Sequence, residues 1–236
     1  MEADRRLAAA GRMRSARQGL EARRGEIDKR VVLGLLFFVF LGLVLFYIIV
    51  SPGGSVYLVA LGPTPREHLE ALAAHARAKC GINVHILEAV PLQGPVLDRA
   101  RRQLVADELL ALMNWAYPSL AWNPRAILIG ITPYDMYARA HPEWIFVFNW
   151  HHWRSAVVSM TRLDPVNLGM PADEALFKQR LRKTLMRDLG YLVFRRLGSS
   201  DPRSVMFAPV GGVDDLDRMD EDFWQGPCAP ADIGRK

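Results

Sequence analysis

The chain has 236 residues, half of them apolar, and a formal net charge of +5. That length allows one domain of ordinary size plus appendages, with ample apolar material for a core. Residues 1–30 hold nine Lys/Arg against five Asp/Glu, or +4, so the remainder carries only +1; this argues against a folded domain that binds nucleic acid.

After the basic tail, residues 31–50 read VVLGLLFFVFLGLVLFYIIV, twenty residues without a charge. At 1.5 Å per residue such a helix spans about 30 Å, which predicts a single transmembrane helix. The run is too long for a signal peptide, and VSPGG after it lacks a cleavage site. Seven Lys/Arg in residues 11–30 against one in 51–70 predict a cytoplasmic N-terminus and an outer C-terminal domain. In a bacterium this places the chain in the inner membrane with a periplasmic domain. The lipid bilayer and integral-membrane proteins are then its expected partners. Gly34 and Gly42 would let a neighbouring helix approach.

Residues 51–54 form a linker. SVYLVALG (55–62) reads as a strand, PREHLEALAAHARAKCG as a helix, and GINVHILEAV as a second strand. Residues 95–116 read as a helix. AILIGIT (126–132), WIFVFNW (144–150) and SAVVSMTRL (155–163) read as strands, and 172–197 as a long helix. Alternating strands and helices predict an α/β domain with helices covering a mixed sheet. Residues 229–236 form a short C-terminal tail. The two cysteines, Cys80 and Cys228, are either bridged or free. The acidic run at 214–222 lacks the glycine and alternation of a calcium loop and reads as solvated.

The long helix contains KTLMRDLGYLVFRRL (183–197). Phe177, Leu181, Leu185, Leu189 and Val193 recur every four residues, the spacing of a buried face. Arg187 and Tyr191 share another face. Arg187-Asp188 stands where a His-Glu pair would make a metalloprotease helix.

AILIGITPYDMY, IFVFNW, SAVVSMTRL, this helix and DPRSVMFAP follow in an order and spacing that resembles the archaemetzincins, zinc peptidases of the metzincin type. The resemblance covers residues 55–228 and implies their fold. It also implies a zinc helix, HELGHxxGLxHC, whose residues fail to carry over. The first histidine falls on Arg187, the glutamate on Asp188, the second histidine on Tyr191 and the third on Leu197. The family's cysteines fall on Gly198, Ser204 and about Trp224, with Cys228 near the last. Met206 matches the methionine of the turn beneath the metal. Arg cannot lose its proton to become a ligand, and Leu has no donor. All six histidines precede residue 153. These residues predict no metal, no cofactor and no catalytic group: a pseudoenzyme with a degenerate zinc site.

His151-His152, between Trp150 and Trp153, is a poor metal site, since adjacent strand residues face opposite ways. Together with Trp144 this stretch is a candidate partner-binding edge, because metzincin edge strands take extended peptides by strand addition. Three functions follow. The first is a non-catalytic, membrane-anchored accessory or scaffolding subunit of a membrane complex. The second is a peptide- or protein-binding receptor using the former substrate cleft. The third is a hydrolase with an unusual metal site. For Arg187 the expectation is burial with a partner: a carboxylate such as Asp135 or one from the acidic run, or carbonyls of the Met206 turn.

Overall fold

The structure, a computed structural model, describes residues 31–46, 54–221, 223 and 228. The basic tail, the C-terminal tail and residues 51–53 of the linker lie outside the described residues. The chain divides between residues 50 and 51 into two units.

In the first unit, residues 31–46 form helix α1, with apolar side chains exposed all round. The expected membrane span does not hold. The described residues 31–46 amount to about 24 Å of helix at 1.5 Å per residue, against the roughly 30 Å of hydrocarbon. No described helix is long and apolar enough to cross a membrane. Hydropathy had counted residues 47–50 into the span, and these lie outside the described residues. The fold class is corrected accordingly, and the inner-membrane location falls with it. The argument for bilayer and integral-membrane partners rested on that span and is left without it. Gly34 and Gly42 lie on α1, and a Cβ at either would meet nothing within 4 Å.

The second unit is an α/β domain. Strands β1 (Ser55–Ala60), β2 (Val84–Ile86), β5 (Ala126–Thr132), β7 (Asn149–His152) and β8 (Ser155–Ser159) form one sheet in the order β2-β1-β5-β8-β7. All neighbours are parallel except β7, which runs antiparallel to β8 as an edge strand. β5 is buried along its whole length, which is why AILIGIT is continuously apolar: parallel strands covered on both faces need no polar side. Helices α2 (Arg66–Cys80) and α5 (Glu174–Leu192) contribute to one apolar core with β1, β5 and β8. Helix α3 (Ala106–Ala116) contributes to a second, on the opposite face.

The helix expected over 95–116 begins later. Leu97–Asp98 (β3) and Gln103–Val105 (β4) form a hairpin, and β4 pairs with β6 (Met136–Tyr137) in a three-stranded sheet. Asp98 makes the turn: its Oδ1 accepts the N–H of Ala100 at 2.9 Å and of Arg101 at 3.1 Å, and Arg102 takes a positive φ of 56°. A short helix α4 (Pro118–Ala121) follows α3. The strand expected over 144–150 is displaced to Asn149–His152. The long helix ends at Leu192 rather than 197, and Arg195 beyond it has φ of 53°. The acidic run is a correction too, since part of it forms α6 (Val213–Arg218) and pairs with α5. Cys80 at the end of α2 is bridged to Cys228.

Candidate functional site

Helix α5 starts at Asp173, whose side chain accepts the N–H of Leu176 at 2.9 Å, satisfying one of the free donors of the first turn. Besides its apolar stripe, α5 buries Arg180, Lys183, Thr184, Arg187 and Asp188. At spacings of three and four these form a polar line beside the apolar one. Its first part is held by α6. Arg180 binds Asp217 through Nε (2.8 Å) and Nη2 (2.6 Å) and donates from Nη1 to the Leu163 carbonyl (3.1 Å). Lys183 donates to the carbonyls of Leu216 and Asp217 at 3.0 and 3.1 Å.

The second part holds Arg187, Asp188 and Tyr191, the positions that the resemblance assigns to the zinc helix. Arg187 is 7% exposed. Its Nη1 donates to the carbonyls of Val205 (3.2 Å) and Phe207, on either side of Met206. Of the partners the sequence left open, these are the ones the fold supplies. Asp135 is taken by Arg162 at 2.6 Å, and Asp217 by Arg180. The guanidinium also lies 5.2 Å from the centre of the Tyr191 ring, within cation–π range. Burial holds its pKa below the ordinary value, with Tyr191 and Asp188 opposing.

Asp188 is inaccessible to solvent. Its Oδ1 accepts from Asn149 Nδ2 at 2.9 Å, and its Oδ2 has no hydrogen-bond partner among the described residues. Burial raises its pKa to about 7, against the lowering effects of the Asn149 bond and the Arg187 charge. Tyr191 is stacked on His151, with ring centres 4.9 Å apart. Partial burial, then the Arg187 charge and then His152, lower the His151 pKa. Met206 is buried under the helix at Gly190. A Cβ on that glycine would run into the Met206 thioether and come within 2.9 Å of the Phe223 ring, so the Met206 side chain packs into the space that the glycine leaves on the helix. Leu197, past the end of α5, is 87% exposed and does not join the site.

A cleft of about 430 Å³ lies over Arg187. Residues 144–151 form one wall and Pro209, Val210 and Gly211 the other. It brings together Trp144, Trp150, His151 and Arg187; His152 and Trp153 are exposed and do not line it. Trp150 points to the α3 side, where its Nε1 donates to Asp107 at 3.1 Å. Sequence reasoning missed Asn149 and the 209–211 wall. Asn149 had left a signal, a polar side chain closing the apolar run IFVF.

A mixed sheet ending in an antiparallel edge strand, with a long helix beside that strand and a methionine turn beneath the helix, defines the class. The second unit has the metzincin-type fold. The chain belongs to the archaemetzincin family. It is 35% identical over 133 residues to archaemetzincin from Pyrococcus horikoshii, covering 55% of this chain and 67% of that protein. It is 31% identical over 160 residues to archaemetzincin from Pyrococcus abyssi, covering 65% and 81%. No family model matches the chain. The fold is similar to that of the zinc-dependent peptidase from Methanocorpusculum labreanum, with a TM-score of 0.60 at 20% identity over 71% of this chain and 95% of that one.

The residues at the positions that the resemblance assigns to the zinc ligands do not fit zinc. A three-ligand peptidase site needs neutral imidazoles or equivalent donors around an open position. Here those positions hold a buried guanidinium bound to two carbonyls, a phenol stacked on His151, and an outward-facing leucine. Among the described residues no group of three or more His, Cys, Asp or Glu is placed to hold a metal ion.

Proposed function

We propose that this chain is a non-catalytic archaemetzincin that keeps the substrate cleft to recognise extended peptides. One observation carries the reading: Arg187, in the place of the first zinc ligand, is buried and bound to the carbonyls on both sides of Met206. A permanent cation there opposes a divalent ion by charge and occupies its space with donors rather than acceptors. Asp188, in the place of the general base, lies out of solvent with Asn149 on one oxygen, so it has no water to activate. The parts that grip a peptide remain. β7 pairs with β8 on one side and with no described strand on the other, leaving an edge for strand addition beside the cleft. This intact edge favours recognition over scaffolding.

Elemental analysis of the full chain, purified without chelator, tests the loss of catalysis alongside a peptidase assay. The expected result is zinc far below stoichiometric and no cleavage. Near-stoichiometric zinc that is lost on replacing Tyr191 or Asp188 would overturn the proposal and establish a hydrolase with an unusual metal site.

A further inference from the structure

We propose that the cleft takes an extended peptide bearing a glutamate or aspartate side chain, whose carboxylate the Arg187 guanidinium receives. The inference rests on the recognition reading above and names its ligand class. Charge complementarity is the first argument. The cleft lining is apolar and aromatic apart from Asn149, His151 and Arg187, and no carboxylate lines it. Among the described residues Arg187 makes no ion pair, while the acidic groups of neighbouring elements are engaged elsewhere: Asp135 by Arg162, Asp215 by Arg218 and Asp217 by Arg180. Asp107 faces Trp150 on the far side of the sheet. Asp188, next to Arg187 in sequence, is turned toward Asn149. Of the five N–H donors of a guanidinium, the two on Nη1 point at Val205 and Phe207, which leaves Nε and Nη2 for Tyr191 and a ligand. A buried guanidinium with no ion pair among the described residues is suited to a carboxylate, which it binds by paired, charge-assisted hydrogen bonds.

Register supplies the second argument. On β7 the side chains of Asn149 and His151 face α5, where they meet Asp188 and Tyr191, while Trp150 between them faces α3. Residues opposite one another on adjacent strands point to the same face of a sheet. In a strand added to the outer edge of β7, the residues opposite Asn149 and His151 therefore point to the α5 side, toward Arg187. Its alternate side chains point to the Trp150 side. The ligand is thus an internal acidic side chain whose immediate neighbours on either side are apolar and face the Trp150 side, rather than a peptide terminus.

The test uses the full chain and a labelled, acetylated and amidated probe peptide, Val-Thr-Val-Glu-Val-Thr-Val, with binding read by fluorescence anisotropy. We expect it to bind about tenfold more tightly than the same peptide with Gln at the centre. That preference should vanish in Arg187→Met and survive in part in Arg187→Lys, which keeps the charge without the planar fork. Circular dichroism of both variants shows that each is folded. Equal binding of the Glu and Gln peptides overturns the carboxylate inference and leaves the recognition reading standing. Preference for a Gln peptide with a free C-terminus over its amide assigns the site to a terminal carboxylate and overturns the side-chain assignment. No binding by any of these peptides overturns the inference and counts against the recognition reading as well.

Discussion

Arg180 and Arg187 stand seven residues apart on α5, about two turns, and both are almost inaccessible, at 1% and 7% exposure. Their surroundings differ. Arg180 has a carboxylate in fork geometry and a carbonyl, and the bonds from Asp217 raise its pKa against burial. Arg187 has two carbonyls and a ring face and, among the described residues, no ion pair; burial lowers its pKa, with Tyr191 and Asp188 opposing. A buried cation is tolerated when a counter-charge and hydrogen bonds replace its hydration. The Arg180 end meets that condition and the Arg187 end meets it in part. One half of the helix is therefore a satisfied structural joint to α6. The other carries a charge that folding alone does not explain, and perturbed, incompletely compensated charges in clefts mark functional sites.

The joint should be the more costly to break. Asp217→Ala leaves Arg180 buried with the Leu163 carbonyl as its remaining partner, and urea unfolding should show a loss of roughly 3–5 kcal/mol. A loss below about 1 kcal/mol, the range of an exposed pair, would mean that Arg180 is rehydrated and that the two ends are alike.

Asp188 should give an intermediate effect with a distinctive pH dependence. Its folded pKa, about 7, lies above the ordinary 3.8. Between those values the folded chain holds a proton that the unfolded chain has released. Stability contributed by this group therefore falls as pH rises from about 4 to about 7 and stays low above. Asp188→Asn removes the titration. The variant should equal the parent near pH 3, below the ordinary carboxylate value, and exceed it at pH 8 by about 1–3 kcal/mol, discounted from the full shift for relaxation of the site. A variant less stable than the parent at pH 8 would show that the ionised carboxylate is the form the fold needs, paired with Arg187.

Parts of this arrangement were legible in the sequence for physical reasons. The stripe from Phe177 to Val193 and the uninterrupted AILIGIT specify a buried helix and a central strand by periodicity alone. Arg187, Asp188 and Met206 were located by the resemblance of this helix and its following turn to the zinc-peptidase motif. The β3–β4 hairpin was hidden, because its turn depends on the Asp98 side chain, while RRQLVADELL carries good helix formers. Asn149 and the 209–211 wall were hidden because their roles arise across the sheet rather than along the chain. The Arg180–Asp217 joint was hidden likewise, because 37 residues separate the partners. The apolar run at 31–50 showed the converse failure: composition predicted a membrane span, whereas no described helix is long and apolar enough to cross a membrane.

The smallest stability effect and the sharpest comparison belong to Arg187→Met. Methionine replaces much of the side-chain volume and removes the desolvated charge. It leaves the Val205 and Phe207 carbonyls without this donor, a cost of about 1–3 kcal/mol. The relief of a buried cation that has no counter-ion offsets that cost, so unfolding free energy at pH 7 should change by no more than about 1 kcal/mol. A loss as large as that of Asp217→Ala would break the contrast and make Arg187 a second structural joint. A further readout does not depend on stability. The Arg187 charge lowers both the His151 and the Asp188 pKa. Its removal should move the His151 titration, followed by proton NMR of the ring, to higher pH, and should push the Asp188 stability break above about 7 in the same sense. If neither titration moves while the protein stays folded, the guanidinium is screened from both groups. It would then no longer be the uncompensated positive charge that distinguishes this end of α5 from the other.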